Sequence, residues 1–148
     1  MREAAIVATA RTGIGKAYRG YFNATEAPVL AGHVMRAAVE RAGIDPARIE
    51  DVFWGVGNQW GTQGGNAGRM GVFAGALPLT VPALTLDRKC GSGLSAIALA
   101  ARSIIANDID VALAGGMESI SSTVTKDAPR YVNVSVTEQV PAAYIPMI

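Results

Sequence analysis

Apolar residues in this chain switch repeatedly between the continuous or alternating pattern of a strand and the 3.6-residue pattern of a helix. Ala4-Ala5-Ile6-Val7-Ala8-Thr9-Ala10 is short, apolar and partly β-branched, and Arg11-Thr12-Gly13-Ile14-Gly15 ends it. It predicts a buried first strand that leaves into a loop. Leu30, Val34, Ala37, Ala38 and Val39 then recur at helical spacing, with Thr25 as N-cap, Pro28 inside the first turn and Ala42-Gly43 closing the helix. Arg36, Glu40 and Arg41 take its wet side.

Residues 49–56 predict the second strand, and the loop from Gly55 to Asn66 is so rich in glycine that its backbone must turn sharply or approach something closely. A helix over about 67–76 follows, stopped by Leu77-Pro78, and residues 82–89 supply the third strand. Leu94, Ile97, Ala98, Ala101, Ile104 and Ile105 mark the apolar face of the next helix, which ends near Asn107-Asp108, and residues 110–114 form the fourth strand. Three such alternations predict an α/β fold with a mainly parallel sheet covered by helices. After Gly115-Gly116 the character changes: residues 119–148 are rich in Ser, Thr, Val and Pro, show no sustained period, and read as an excursion from the core without a closing element.

The 148 residues are enough for one domain, which buries roughly two thirds of the surface of its unfolded chain. A formal charge of +1 gives no global field to draw nucleic acid or an anionic membrane surface. Half the residues are hydrophobic, which predicts strands buried on both faces and a large subunit contact. No apolar run approaches the roughly 20 residues of a membrane span, and no h-region follows Met1-Arg2-Glu3, so the expected compartment is the cytoplasm, an organelle matrix remaining open. A single cysteine excludes an internal disulfide. The sequons at Asn23 and Asn133 carry no weight without a secretory signal.

Most short motifs fail on spacing. Gly55-Val56-Gly57 lacks the third glycine of a dinucleotide fingerprint, and Gly13-Ile14-Gly15-Lys16 lacks both the upstream glycine and the following Ser or Thr of a P-loop. His33, the only histidine, shares a helix face with Arg36 and Glu40 and reads as solvated. One His and one Cys cannot build a tetrahedral zinc site, so no metal is expected.

Cys90 is the candidate nucleophile. Free cysteine usually only packs, but this one stands where a strand hands over to a helix, the place at which ligands meet α/β sheets. Gly91-Ser92-Gly93 opens that helix with little side-chain bulk, leaving free amides and room for a substrate. The helix end and the neighbouring Arg88 and Lys89 are expected to favour the thiolate, although a helix end supplies only about 0.3–2 kcal/mol, so a separate base is still wanted. Arg88 shares strand parity with Cys90 while Lys89 points the other way.

The run Asp87-Arg88-Lys89-Cys90-Gly91-Ser92-Gly93-Leu94-Ser95-Ala96-Ile97, with Gly115-Gly116-Met117-Glu118-Ser119-Ile120-Ser121, closely resembles the N-terminal half of the thiolases, the acetyl-CoA acetyltransferase family. Thr9-Ala10-Arg11-Thr12-Gly13-Ile14-Gly15 resembles the family's opening strand and loop, and Gly65-Asn66-Ala67-Gly68-Arg69 its segment before the second helix. The likeness runs in register along the whole chain. It implies a layered fold with a mainly parallel mixed sheet. Residues 1–118 would be most of the N-terminal domain and residues 119–148 the truncated start of a loop domain, with the last strand of the sheet missing.

The resemblance also implies ping-pong acyl transfer between acyl-CoA thioesters, or the reverse cleavage of a 3-ketoacyl-CoA. Cys90 would carry the acyl group as a thioester, and its backbone amide would be one oxyanion-hole donor. Coenzyme A and acyl-CoA would be substrates, with no covalently bound cofactor, and the protein would be a homodimer or homotetramer. The family's activating histidine, second cysteine and water-holding asparagine belong to a C-terminal half that this chain does not contain, so the remaining half of the enzyme is itself an expected partner. Two other readings stay open at this point: a condensing enzyme of the ketoacyl synthase type, and a non-catalytic acyl-CoA- or lipid-binding subunit.

Overall fold

The structure, a computed structural model, describes residues 2–124 and Gln139; the rest of the predicted excursion, with the Asn133 sequon, lies outside the described residues. Three strands form one sheet: β1 (Asp51–Gly55), β2 (Ala83–Leu86) and β3 (Ala112–Gly116), in the order β2-β1-β3. Both pairings are parallel, with Trp54 opposite Thr85 on one side and Gly115 on the other. Helices α1 (Ala27–Ala42) and α2 (Ala67–Ala74) cover one face, α3 (Ser92–Ile105) covers the other, and a four-residue α4 (Ile120–Thr123) follows β3. The α/β expectation holds, and among the described residues the sheet is wholly parallel.

Strand alternation sorts the core into two layers. Val52, Trp54 and Val56 point toward α1 and α2, where Ala31, Met35, Val39, Ala67 and Val72 close the larger cluster. Phe53 points the other way onto Ala96 and Ala100 of α3. Gly43 ends α1 in the left-handed region (φ 64°), where glycine has no Cβ penalty. Its N-cap is Glu26 rather than Thr25, one residue later than the sequence predicts, with no side-chain cap bond.

Two expectations are corrected. The buried stripe of α3 is Ser92, Ala96 and Ala100, while Leu94 (76% exposed) and Ile97 (41%) of the predicted face point outward. The reason is the closeness of the packing: a Cβ on Gly55 would lie 2.3 Å from the Ser92 carbonyl carbon, so only small residues fit between this helix and the sheet. The run 4–10 forms no ladder, and Ile6 (76%) and Val7 (77%) are exposed. It is held at its two ends instead. Arg2 bonds Asn107 and Asp110 just before β3, and beyond the run Tyr18 bonds Ser121 and Val124 just after it. Between this run and β3 lies a cavity of about 900 Å³, lined by both.

Candidate active site

All three strands end on one side of the molecule, and there the chain makes three turns around a cavity of about 410 Å³ lined by Cys90, Lys89, Gly57, Gly93, Met117 and Glu118, among others. That volume lies in the range of small-molecule sites, at the carboxyl ends of the strands where α/β sheets bind ligands. Cys90 is exposed and sits between β2 and the Gly91 N-cap of α3. Position and accessibility therefore agree with what the sequence predicts for it. His33 stands on the exposed face of α1, outside the cavity lining. Among the described residues no three His, Cys, Asp or Glu side chains converge to hold a metal.

The turn that presents Cys90 is tightly built. Lys89 takes a positive φ of 48°, uncommon for a non-glycine residue, and reverses the chain just before the thiol. Ser92, 3% exposed, braces the reversal from inside: its Oγ donates to the Lys89 carbonyl at 2.6 Å and accepts the Arg88 N–H at 2.8 Å. The N–H groups of Gly91 and Ser92 donate back to Arg88 and Lys89 at 3.0 Å. Lys89 Nζ bridges Asp87 Oδ2 at 2.6 Å and the Gly57 carbonyl at 3.0 Å, which ties the turn after β2 to the loop after β1. Burial pushes the Asp87 carboxyl up, but the Lys89 ammonium and backbone N–H bonded to it, together with the ammonium's charge, leave its pKa below the ordinary value.

The glycines around the thiol divide into two kinds. A Cβ on Gly116 would lie 2.7 Å from the Gly55 carbonyl oxygen, so the fold itself requires that glycine. A Cβ on Gly93 would meet nothing within 4 Å; it would project into open space. At the helix start beside Cys90, the N–H groups of Gly93 and Leu94 lie in the first turn, where no intrahelical acceptor exists. An accessible sulfur, unsatisfied amides and an open approach can together accept an acyl group and stabilise a developing oxyanion.

The Gly65–Arg69 segment does not touch the thiol. Asn66 (φ 61°) caps α2 by accepting the Arg69 N–H at 3.1 Å, and its Nδ2 donates to the Ala83 carbonyl at 2.9 Å. Arg69 donates to the carbonyls of Leu79 and Val81 and lies 4.5 Å over the Phe73 ring. The motif thus locks α2 to the start of β2. Asp87, Ser92, Gln63 and Glu118 around the thiol are functional candidates that sequence reasoning passes over. Asp87 and Glu118 carried a readable clue, their places one and two residues beyond a strand's carboxyl end.

Comparison with known proteins gives a consistent answer. The family described as Thiolase, N-terminal domain, matches residues 4–143. An acetyl-CoA acetyltransferase of Cupriavidus necator is 40% identical over 122 residues, covering 82% of this chain and 30% of that protein. A 3-ketoacyl-CoA thiolase of Bacillus subtilis is 38% identical over 148 residues, 99% of this chain and 38% of that protein. The crystal structure of the Bacillus anthracis acetyl-CoA acetyltransferase superposes with a TM-score of 0.79 at 32% identity, over 90% of this chain and 32% of the other. The chain spans about a third of the length of these relatives.

Proposed function

Because this chain belongs to the thiolase family, matching its N-terminal domain, we propose that it supplies the acyl-accepting half of an enzyme that transfers acyl groups between CoA thioesters. The observation that carries this reading is Cys90: an exposed thiol at the mouth of a 410 Å³ cavity, at a strand-to-helix turn whose helix starts with open amides. The Cys90 thiolate attacks the thioester carbonyl, and the tetrahedral oxyanion faces backbone N–H groups at the start of α3, the Cys90 amide among them. Expulsion of the CoA thiolate leaves an acyl-cysteine. The enolate of a second acyl-CoA then takes the acyl group and releases the Cys90 sulfur. In the reverse direction the Cys90 thiolate attacks the 3-keto carbonyl of a 3-ketoacyl-CoA, the C2–C3 bond breaks to release the enolate of the shorter acyl-CoA, which takes up a proton, and CoA then takes the acyl group from Cys90. A thioester is exchanged for a thioester in the first half-reaction, so little energy separates its two sides.

Two protons still need carriers, one at the thiol and one at the α-carbon of the second substrate. Among the described residues, the lining of the Cys90 cavity contains no histidine and no second cysteine. We assign both roles to the C-terminal half of the enzyme. The same half would close the sheet. The outer edge of β3 has no ladder partner among the described residues, it borders the 900 Å³ cavity, and Trp54 Nε1, buried and without a hydrogen-bond partner, lines that cavity too. An unpaired strand edge and an unsatisfied buried donor both favour an added strand. Exposed Leu94 and Ile97 on α3 and Met70 and Phe73 on α2 support further burial against that half or a second subunit.

The direct experiment is to incubate the native protein with an acyl-CoA, quench in acid and map the acylated peptide. The label is expected on Cys90, and Cys90→Ser is expected to abolish both labelling and turnover. An acyl group mapped elsewhere, or undiminished turnover in Cys90→Ser, contradicts the proposal.

A further inference from the structure

Two side chains that carry no step of the acyl transfer tie the walls of the Cys90 cavity together. Glu118, in the turn after β3, lines the cavity and is exposed. Its Oε2 accepts the Gly57 N–H at 2.8 Å and its Oε1 accepts Gln63 Nε2 at 2.6 Å. Gln63 is fully buried and uses its whole amide: Nε2 also donates to the Asn58 carbonyl at 2.6 Å, and Oε1 accepts the Ser119 N–H. Three hydrogen bonds, two of them to an anion, thus join the loop after β1 to the turn after β3, and the fourth, to Asn58, holds Gln63 within its own loop. Gly57 passes the restraint on, since its carbonyl holds the ammonium of Lys89, the residue before Cys90. The fit is close, because a Cβ on Gly57 would stand 2.9 Å from Glu118 Oε2 and so displace the carboxylate.

We infer that Glu118 is a positioning residue for Cys90: paired with Gln63, it sets the spacing of the strand ends and so the width of the cavity that must fit the acyl thioester. The inference rests on the reading of Cys90 as acyl acceptor and deepens it. Both carboxylate oxygens already accept hydrogen bonds, and the group acts on the thiol through Gly57 and Lys89, not by taking its proton.

Glu118→Gln keeps the side chain's size but turns one acceptor into a donor facing another donor. In the native protein this substitution slows acylation of Cys90 by roughly tenfold or more, in the saturating rate rather than in the half-saturating acyl-CoA concentration. Alkylation of Cys90 by iodoacetamide, which needs only an accessible thiol, changes by less than about twofold. Gln63→Glu sets two carboxylates face to face and slows acylation as well. The reciprocal pair, Gln63→Glu with Glu118→Gln, restores a donor opposite an acceptor and acylates at least about threefold faster than either single variant. Amide exchange at Gly57 in Glu118→Gln speeds up by about tenfold. That readout is independent of acylation: a wild-type protein whose Cys90 takes no acyl group defeats the functional reading, while the exchange rate still judges the clamp. Wild-type acylation or unchanged Gly57 exchange in Glu118→Gln overturns the assignment, as do single-variant effects that multiply in the reciprocal pair. Where Gln63→Glu fails to fold, Glu118→Gln at its exposed position decides alone.

Discussion

Gly55 and Gly93 stand on opposite sides of the same helix start and should respond to the same substitution with opposite signs. A methyl on Gly55 enters the backbone of Ser92 and Gly93 at 2.3–2.5 Å, where neither partner is a flexible side chain. Gly55→Ala is therefore expected to cost about 3 kcal/mol, read as a lower urea midpoint. A methyl on Gly93 meets nothing within 4 Å, and alanine is the better helix former by up to about 1 kcal/mol. Gly93→Ala is expected to melt no lower than wild type while acylating Cys90 at least about tenfold more slowly, because the methyl occupies the approach to the sulfur. Equal acylation by the two proteins would show that the approach lies elsewhere. Cys90 was legible in the sequence because its type and its place between elements both carry meaning. Gln63 was not, since nothing in a glycine-rich loop tells which side chain turns inward.

At the scale of the element, the turn between β2 and α3 depends on a carboxylate held below its ordinary pKa. Asp87 accepts the Lys89 backbone N–H at 2.7 Å and the Lys89 ammonium at 2.6 Å. A depressed folded-state pKa contributes stability that is present above the unfolded value, about 3.9, and is lost as pH falls through the folded value. The pair is largely exposed, so its contribution is small. In urea unfolding from pH 6 to pH 3, the advantage of wild type over Asp87→Asn is expected to stay level down to about pH 4 and to shrink below it. An advantage that grows toward acid would place the wrong group in the turn. Element types and order were readable from periodicity for the helices and for the last three of the four predicted strands, with edges displaced by a few residues, while the predicted strand over 4–10 forms no ladder. The orientation of α3 was not, because hydrophobicity marks its large aliphatic row while steric fit puts the small row against the sheet.

At the scale of the whole molecule, and among the described residues, β3 has an open outer edge with a large cavity beside it, and the lining of the Cys90 cavity contains no histidine and no second cysteine. Residues 1–148 expressed alone are therefore expected to give no stable monomer and no CoA-dependent thiolysis, whereas the native enzyme is expected to be oligomeric by light scattering. A cooperative melt together with thiolysis by the 148-residue chain would show that the site needs no second half.

By itself, the sequence determined the α/β alternation, the strand-to-helix place of Cys90 and the likeness to thiolases, because these rest on local periodicity and on motifs contiguous in the chain. Tertiary structure alone decided three other things. It left the run 4–10 out of the ladder, with a cavity between the run and β3, since strand pairing needs two backbones within hydrogen-bonding distance and not only an apolar run. It turned the small residues of α3 inward, since backbone approach at Gly55 and Gly116 leaves no room for larger ones. It also brought Gln63 and Glu118, 55 positions apart, to 2.6 Å from each other behind the thiol, a contact that no local pattern encodes.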